Sequence, residues 1–187
     1  MKTIILDAGH GGMINGDYQT KGKRSPVWED GSQLFEGECN RQIKDRVMEL
    51  MQFHRMPYYD VNPEQIDISL KERVTRANRV QNSLYISIHS NAGGGTGCEV
   101  FVSNNCSSKS MSMAEDFQDL YYPLFDGERW RGIKQSDFYV IKNTNMPAVL
   151  IESFFMDTEK ECKKYLMTKA GRDRIATWVF ESIKKMV

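Results

Sequence analysis

The sequence predicts a single α/β domain spanning residues 1–187. Its core is expected to be a central, mostly parallel or mixed twisted sheet of about six strands, with helices on both faces. Three observations lead there. Short aliphatic or alternating runs recur along the chain, first as Ile4-Ile5-Leu6 and later as Leu84-Tyr-Ile-Ser-Ile-His89. Between them lie stretches whose apolar residues return at three- and four-residue steps, the helical period. Two of the strands also stop abruptly, in Asp7-Ala-Gly-His10-Gly-Gly and His89-Ser-Asn-Ala-Gly-Gly-Gly. Open α/β sheets place their ligands at such strand ends.

Taken in order, Ile4-Ile5-Leu6 has no polar face and reads as a buried strand. Met13 to Phe35 shows no periodicity and is polar, with Gly16, Gly22, Pro26, Gly31 and an isolated Trp28. A structureless loop of this length is uncommon in a compact domain. It reads either as a surface insertion or as a rim beside His10, with Lys23, Arg24 and Trp28 free to touch a substrate. Glu36-Gly-Glu38 opens a helix with Cys39, Ile43, Val47, Leu50 and Met51 on its apolar stripe. Pro57–Val61 is a short strand, and Ser69-Leu-Lys-Glu72 has capping-box spacing for a helix carrying Leu70, Val74 and Ala77. In Leu84–His89, leucine and isoleucines alternate with Tyr85, Ser87 and His89, the period of a strand. Cys98–Val102 is another strand, and a helix from Ser110 carries Met113, Phe117, Leu120, Tyr121 and Leu124. Phe138–Ile141 and Ala148–Ile151 are predicted as the last strands, the second running into Glu152. Thr158-Glu-Lys-Glu161 has capping-box spacing, and Ile175, Trp178, Val179 and Ile183 form the stripe of the final helix. No internal repeat or low-complexity tract interrupts the pattern.

Composition narrows the partners. Lysine plus arginine number 25 and aspartate plus glutamate 25, so the net charge is zero. A neutral chain lacks the broad positive field of nucleic-acid binders, which argues against DNA or RNA. No apolar run is long enough to span a membrane, and Asp7 cuts the first one too short for a signal peptide. Cys39, Cys98, Cys106 and Cys162 have no paired spacing and are expected as free thiols.

The chemistry resides in the polar residues at strand ends. His10, His89 and one glutamate from the helix start, Glu36 or Glu38, would make a two-histidine, one-carboxylate set. Zinc in hydrolases takes three such ligands and leaves a fourth position for water, whose proton it loosens to near-neutral pH. An acid at a helix start has a simpler use, favouring the macrodipole, so either glutamate could be structural. A second carboxylate must accept the water proton and return it to a departing amine. Glu152 fits by position, because a carboxylate directly after a buried aliphatic run has to be paired, hydrogen-bonded or near a metal.

Five ordered blocks then carry a family resemblance. They are Leu6-Asp-Ala-Gly-His10-Gly-Gly, Glu36 with Asn40, Leu70-x-x-Arg73-x-x-x-Ala77-Asn78, Ser87-Ile-His89-Ser-Asn91-Ala, and Pro147-Ala-Val-Leu-Ile-Glu152-x-x-Phe155. Together, over nearly the whole chain, they resemble the zinc-dependent N-acetylmuramoyl-L-alanine amidases. The resemblance implies hydrolysis of the amide between the lactyl group of N-acetylmuramic acid and the L-alanine of the peptidoglycan stem. It also implies Zn2+ on His10, Glu36 and His89, with Glu152 as the catalytic carboxylate. Glu36 is preferred to Glu38 because family members carry aliphatics three and seven residues after the ligand and often asparagine at four. Glu36 has Cys39, Ile43 and Asn40 there, whereas Glu38 has Arg41 at three.

Two departures from the family stand out. The segment between His10 and Glu36 is longer than the shortest family versions, so its contacts do not carry over. No appended wall-binding module or export signal is recognised, which fits a phage or prophage lysin or a chain without its leader. Peptidoglycan is the expected partner, met at the cell wall in the periplasm or outside the cell, or by a protein held in the cytoplasm until release if it is a phage or prophage lysin. The protein is expected to be a monomer.

Of the remaining polar residues, Arg73 and Asn78 are expected to brace their neighbours, and Asn91 to orient His89 or its loop. Asn91, Trp28, Arg129 and Arg131 are candidates for substrate contact, the arginines because guanidinium forks suit stem-peptide carboxylates; a solvated surface pair is the arginines' alternative. His54 is expected to be exposed. Two competing functions use the same residues: a zinc carboxypeptidase-type peptide hydrolase, and a non-catalytic peptidoglycan-binding module that retains zinc.

Overall fold

Strand β5 (Ser83–Asn91) lies at the centre of the sheet, and its neighbours explain why the aliphatic runs are so apolar. A computed structural model describes residues 1–187. In chain order it has β1 (Thr3–Ala8), a small hairpin β2 (Met13–Ile14) and β3 (Asp17–Tyr18), and α1 (Glu36–Phe53). β4 (Tyr58–Asp60), α2 (Leu70–Ala77), β5, β6 (Cys98–Val102) and α3 (Ser108–Leu124) follow. β7 (Trp130–Gln135), α4 (Tyr139–Asn143), β8 (Ala148–Phe155), the short α5 (Glu159–Glu161), a π-helical turn at Cys162–Leu166 and α6 (Lys169–Met186) complete the chain.

The main sheet has the order β4-β1-β5-β8-β6-β7. Every neighbouring pair is parallel except β6 with β8. The expected mostly parallel six-stranded sheet is therefore present. Alternation along the strands sorts its two faces. Ile4 and Leu6, Leu84, Ile86 and Ile88, and Val149 and Ile151 join the larger core, under α1, α3 and α6. Ile5, Tyr85, Ala148 and Leu150 join a smaller core under α2 and α4, with Val74, Ala77, Val140 and Ile141. Trp178 anchors the larger layer: it is fully buried, its indole N–H donates to the Phe117 carbonyl at 2.8 Å, and Phe117 meets it edge-on.

The structure corrects four local expectations. Phe138–Ile141 forms not a strand but the start of α4, whose Val140 and Ile141 fill the smaller core. Four apolar residues in a row carry no period that separates strand from helix. The strand is instead β7, Trp130-Arg-Gly-Ile-Lys-Gln, an edge strand whose charges and glycine hide its pattern while guarding an open edge. Thr158 stands at the N-cap of α5 as read, but its side chain makes no capping bond; its hydroxyl donates to the Gly95 carbonyl instead. Met13–Phe35 is folded rather than structureless. It holds the β2–β3 hairpin, a bridge between Arg24 and Phe35, and a Ser25 hydroxyl that accepts from the Leu34 N–H. The other capping box is as read, with the Ser69 hydroxyl accepting from the Glu72 N–H at 3.1 Å.

Removing the Trp178 ring should expose how much the larger layer depends on it. Trp178→Ala is expected to cost about 3–5 kcal/mol, read as a lower urea midpoint with an unchanged slope.

Candidate metal centre

The site is assembled at the carboxyl ends of β1 and β5 and the amino end of α1. His10 follows β1 by two residues and has a left-handed backbone, φ 67°. That conformation is uncommon for a residue with a side chain, so something must hold it. Two guanidinium groups do. Arg41 of α1 donates to the His10 carbonyl at 2.7 Å, and Arg73 of α2 donates to it at 3.1 Å. Gly9 makes the turn possible, because a Cβ there would run into the imidazole of His89. Gly37, likewise, lies where a Cβ would strike the Gly11 carbonyl, which brings α1 close under the turn.

Arg73 is in turn held by Asp7. Its Nη1 donates to the Asp7 carboxylate at 2.5 Å and to the Ala8 carbonyl at 2.6 Å, and both charged side chains are buried. The hydroxyls of Tyr85 and Ser87 donate to the other Asp7 oxygen, each at 2.8 Å. Burial alone would raise the Asp7 carboxyl; the Arg73 charge and these hydroxyls outweigh it and hold it below its usual value.

Within this frame His10 Nε2 and His89 Nδ1 each lie 3.2 Å from the same Glu36 oxygen, Oε1. The ligand atoms of the three residues all fall within 4.8 Å of one another, so they could hold a metal ion. Glu36 is buried, which by itself would raise its carboxyl, yet the two imidazoles pull it well below the ordinary range. Glu38 takes a different part: its Oε1 accepts from the Met13 N–H at 2.5 Å and pins the start of the long segment. Asn40 reaches the Gly9 carbonyl and Glu36 Oε1, each at 3.4 Å, and accepts from the Ser90 hydroxyl at 3.2 Å.

Glu152 stands opposite His89 in the β5–β8 register, about one strand spacing of 4.8 Å away. Its Oε2 is buried with no hydrogen-bond partner. Burial pushes its carboxyl up to about 7, against the pull of His89 and with the push of Glu36 and Glu99. Glu99 faces Glu152 from β6 and is the compensated member of the pair, bonded by Arg131, Lys134 and Asn91. Beside the histidines a cleft of about 350 Å³ opens toward α2 and α4, with Ile68, Leu70 and Val140 on its walls.

A family model of N-acetylmuramoyl-L-alanine amidase matches residues 4–185. This chain belongs to the N-acetylmuramoyl-L-alanine amidase family. It is 32% identical over 168 residues to the N-acetylmuramoyl-L-alanine amidase LytC of Bacillus subtilis, covering 87% of this chain and 31% of LytC. It is 28% identical over 170 residues to the endolysin of Bacillus phage SPP1, covering 86% of this chain and 57% of that protein. The chain thus spans only part of these two relatives. The crystal structure of N-acetylmuramoyl-L-alanine amidase from Clostridium difficile 630 has a TM-score of 0.85 and 28% identity, covering 98% of this chain and 95% of that one.

The remaining candidates of this amidase domain are spread more widely. Asn91 makes no side-chain hydrogen bond to His89; its amide donates to Glu99 at 2.7 Å and its oxygen accepts from the Ala92 N–H at the start of the following loop. Trp28 packs against the larger core with its Nε1 buried and unpartnered, so its ring is turned inward. The long segment still approaches the site, since the Lys23 carbonyl accepts the Glu36 N–H at 3.0 Å. Arg129 is exposed and offers its carbonyl to Cys98 and Tyr121, whereas Arg131 pairs with Glu99. Asn78 ties the end of α2 to Asn143 and Asn145, and His54 is exposed, both as expected. Sequence reasoning missed Asp7 and Arg41. A charged residue closing an aliphatic run was the available signal for Asp7; Arg41 left none, because it sits on a helix like any solvated arginine.

Breaking the buried pair should unmake the turn. Arg73→Met leaves Asp7 buried and unpaired and is expected to cost about 3–5 kcal/mol at neutral pH. Because Asp7 is lowered in the folded state, its stabilisation is complete above its unfolded value near about 4. It is lost as pH falls through the lower folded value. Urea midpoints followed against pH should show this acid-side decline in the wild type and less of it in Asp7→Asn.

Proposed function

We propose that this amidase domain hydrolyses the amide joining N-acetylmuramic acid to the L-alanine of the peptidoglycan stem, with zinc as its resident metal. The observation that supports this best is the shared contact of two imidazoles on one Glu36 oxygen, with an unpartnered buried oxygen of Glu152 one strand away. Two nitrogens and one carboxylate form a ligand set suited to a zinc ion that keeps an open position. His10, Glu36 and His89 would hold it. When bound, zinc supplies Lewis acidity and a water acidic enough to ionise near neutral pH.

The protein's own groups then do the rest. Glu152 accepts the proton of the attacking water, and burial, which favours the neutral carboxyl, helps it hold that proton. It passes the same proton to the nitrogen of L-alanine as the C–N bond breaks. The products are the lactyl carboxylate and a free amine. Arg41 and Arg73 keep His10 aimed by holding its carbonyl, and Asn40 steadies Glu36 from the next turn of α1. The substrate would be met at the cell wall; no helix is long and apolar enough to cross a membrane.

Digestion of purified peptidoglycan should release new amino-terminal L-alanine and leave the glycan chains intact. New termini elsewhere in the peptide would support a carboxypeptidase-type hydrolase instead. Glu152→Ala should lose about 10²–10⁴ of the rate while retaining its metal. Lysis at the wild-type rate would remove Glu152 from the reaction. Metal analysis separates the two glutamates: Glu36→Gln should fall well below one zinc per chain, and Glu38→Gln should stay near one.

A further inference from the structure

On the reading above, Glu152 hands a proton to the amine that departs, so the peptide half of the broken bond has to lie at Glu152. Across the edge of the sheet the order is His10, His89, Glu152, Glu99 and then β7. The acyl half therefore points toward the cleft walled by Ile68, Leu70 and Val140, and the stem peptide runs the other way, over β6 and β7. We propose that Arg131 and Lys134, presented by Glu99, form a subsite that recognises a carboxylate on the second residue of the stem peptide.

The cluster is built rather than loosely exposed. Glu99 is only 4% exposed, and its Oε2 receives both Arg131 Nε, at 2.6 Å, and Lys134 Nζ. Asn91 closes the other oxygen at 2.7 Å. One carboxylate thus offsets one of two cations, and a net positive charge remains on half-buried side chains. Their positions are limited by aromatic floors: the Arg131 guanidinium lies 4.9 Å from the Phe155 ring centroid and Lys134 Nζ 5.9 Å from that of Phe101. Arg131 points Nε at Glu99 and Nη1 at the Thr96 carbonyl, so Nη2 is left to meet a ligand. Helices α2 and α4 cover this face over β1, β5 and β8, while over β6 and β7 it carries Glu99, Phe101, Arg131 and Lys134.

The reach also matches. Two strand spacings separate β8 from β7, about 10 Å. That is the span of about two extended residues and an acidic side chain. A guanidinium edge with a neighbouring ammonium recognises a carboxylate better than the corresponding amide, because both bonds are charge-assisted.

The test compares two compounds with amidated C-termini, N-acetylmuramoyl-L-alanyl-glutamate amide and N-acetylmuramoyl-L-alanyl-glutamine amide, nearly identical in shape, of which only the first carries a carboxylate on the second residue. Wild type should favour the glutamate compound by about tenfold in kcat/KM, mostly through KM. The double variant Arg131→Gln/Lys134→Gln should bring the ratio to about one, and Lys134→Glu alone should invert it. A wild-type ratio near one, or a preference that survives in the double variant, overturns the subsite and leaves the amidase reading in place. Calorimetry with the leaving dipeptides, alanyl-glutamate amide and alanyl-glutamine amide, reads the subsite without turnover. A preference there, with neither muramoyl compound cleaved, would keep the subsite and remove the amidase reading.

Discussion

The buried Asp7–Arg73 pair is the constraint on which the rest of the site depends. Arg73 reaches across from α2 to the end of β1 and binds the Ala8 and His10 carbonyls together with Asp7. A left-handed histidine is unfavourable alone, and here its cost is met by placing its carbonyl between two guanidinium groups. The pair itself is tolerable in the interior because Tyr85 and Ser87 satisfy the remaining Asp7 oxygen. Without that arrangement His10 has no reason to face His89, and Glu36 has no second imidazole to share.

Three carboxylates stand close together at this end of the sheet, and their environments push them apart. Glu36 is stabilised as an anion by two imidazoles, and Glu99 by Arg131, Lys134 and Asn91. Glu152, between His89 and Glu99, has burial and two negative neighbours but no hydrogen-bonded partner for Oε2. Carboxyl groups separated in this way can take separate jobs, one as a ligand and one as a proton carrier. The anchoring of Glu99 also turns the cations of β7 toward the same edge, so charge balance and substrate reach arise from one arrangement.

The segment from Met13 to Phe35 shows how a sequence without period can still be ordered. Most of its fixed points are polar, beside Leu34 and Trp28 on the larger core: Glu38 on the Met13 N–H, the Tyr18 hydroxyl accepting from the Gly37 N–H at 2.9 Å, and Lys163 on Asp30. None of these polar contacts leaves a hydrophobic pattern. The glycine loop after β5 is held in the same manner, with Gly93 and Gly94 donating to Asp157 and Gly97 donating to Glu161.

Periodicity and glycine placement were enough to read β1, β5, β8, α1 and α6 and to bring His10 and His89 to one edge, because burial of one face writes itself into local sequence. The same local rules misread Phe138–Ile141 and passed over β7, where four apolar residues have no phase and an edge strand has no buried face to advertise. The preference for Glu36 over Glu38 rests on family blocks in the sequence and gains support only in three dimensions, since both stand in the first turn of α1 and the Met13 backbone occupies Glu38. Asp7, Arg73 and Arg41 met only in the folded chain. Hydrogen bonds between residues more than thirty positions apart depend on where helices dock against a sheet, and no local pattern encodes that docking.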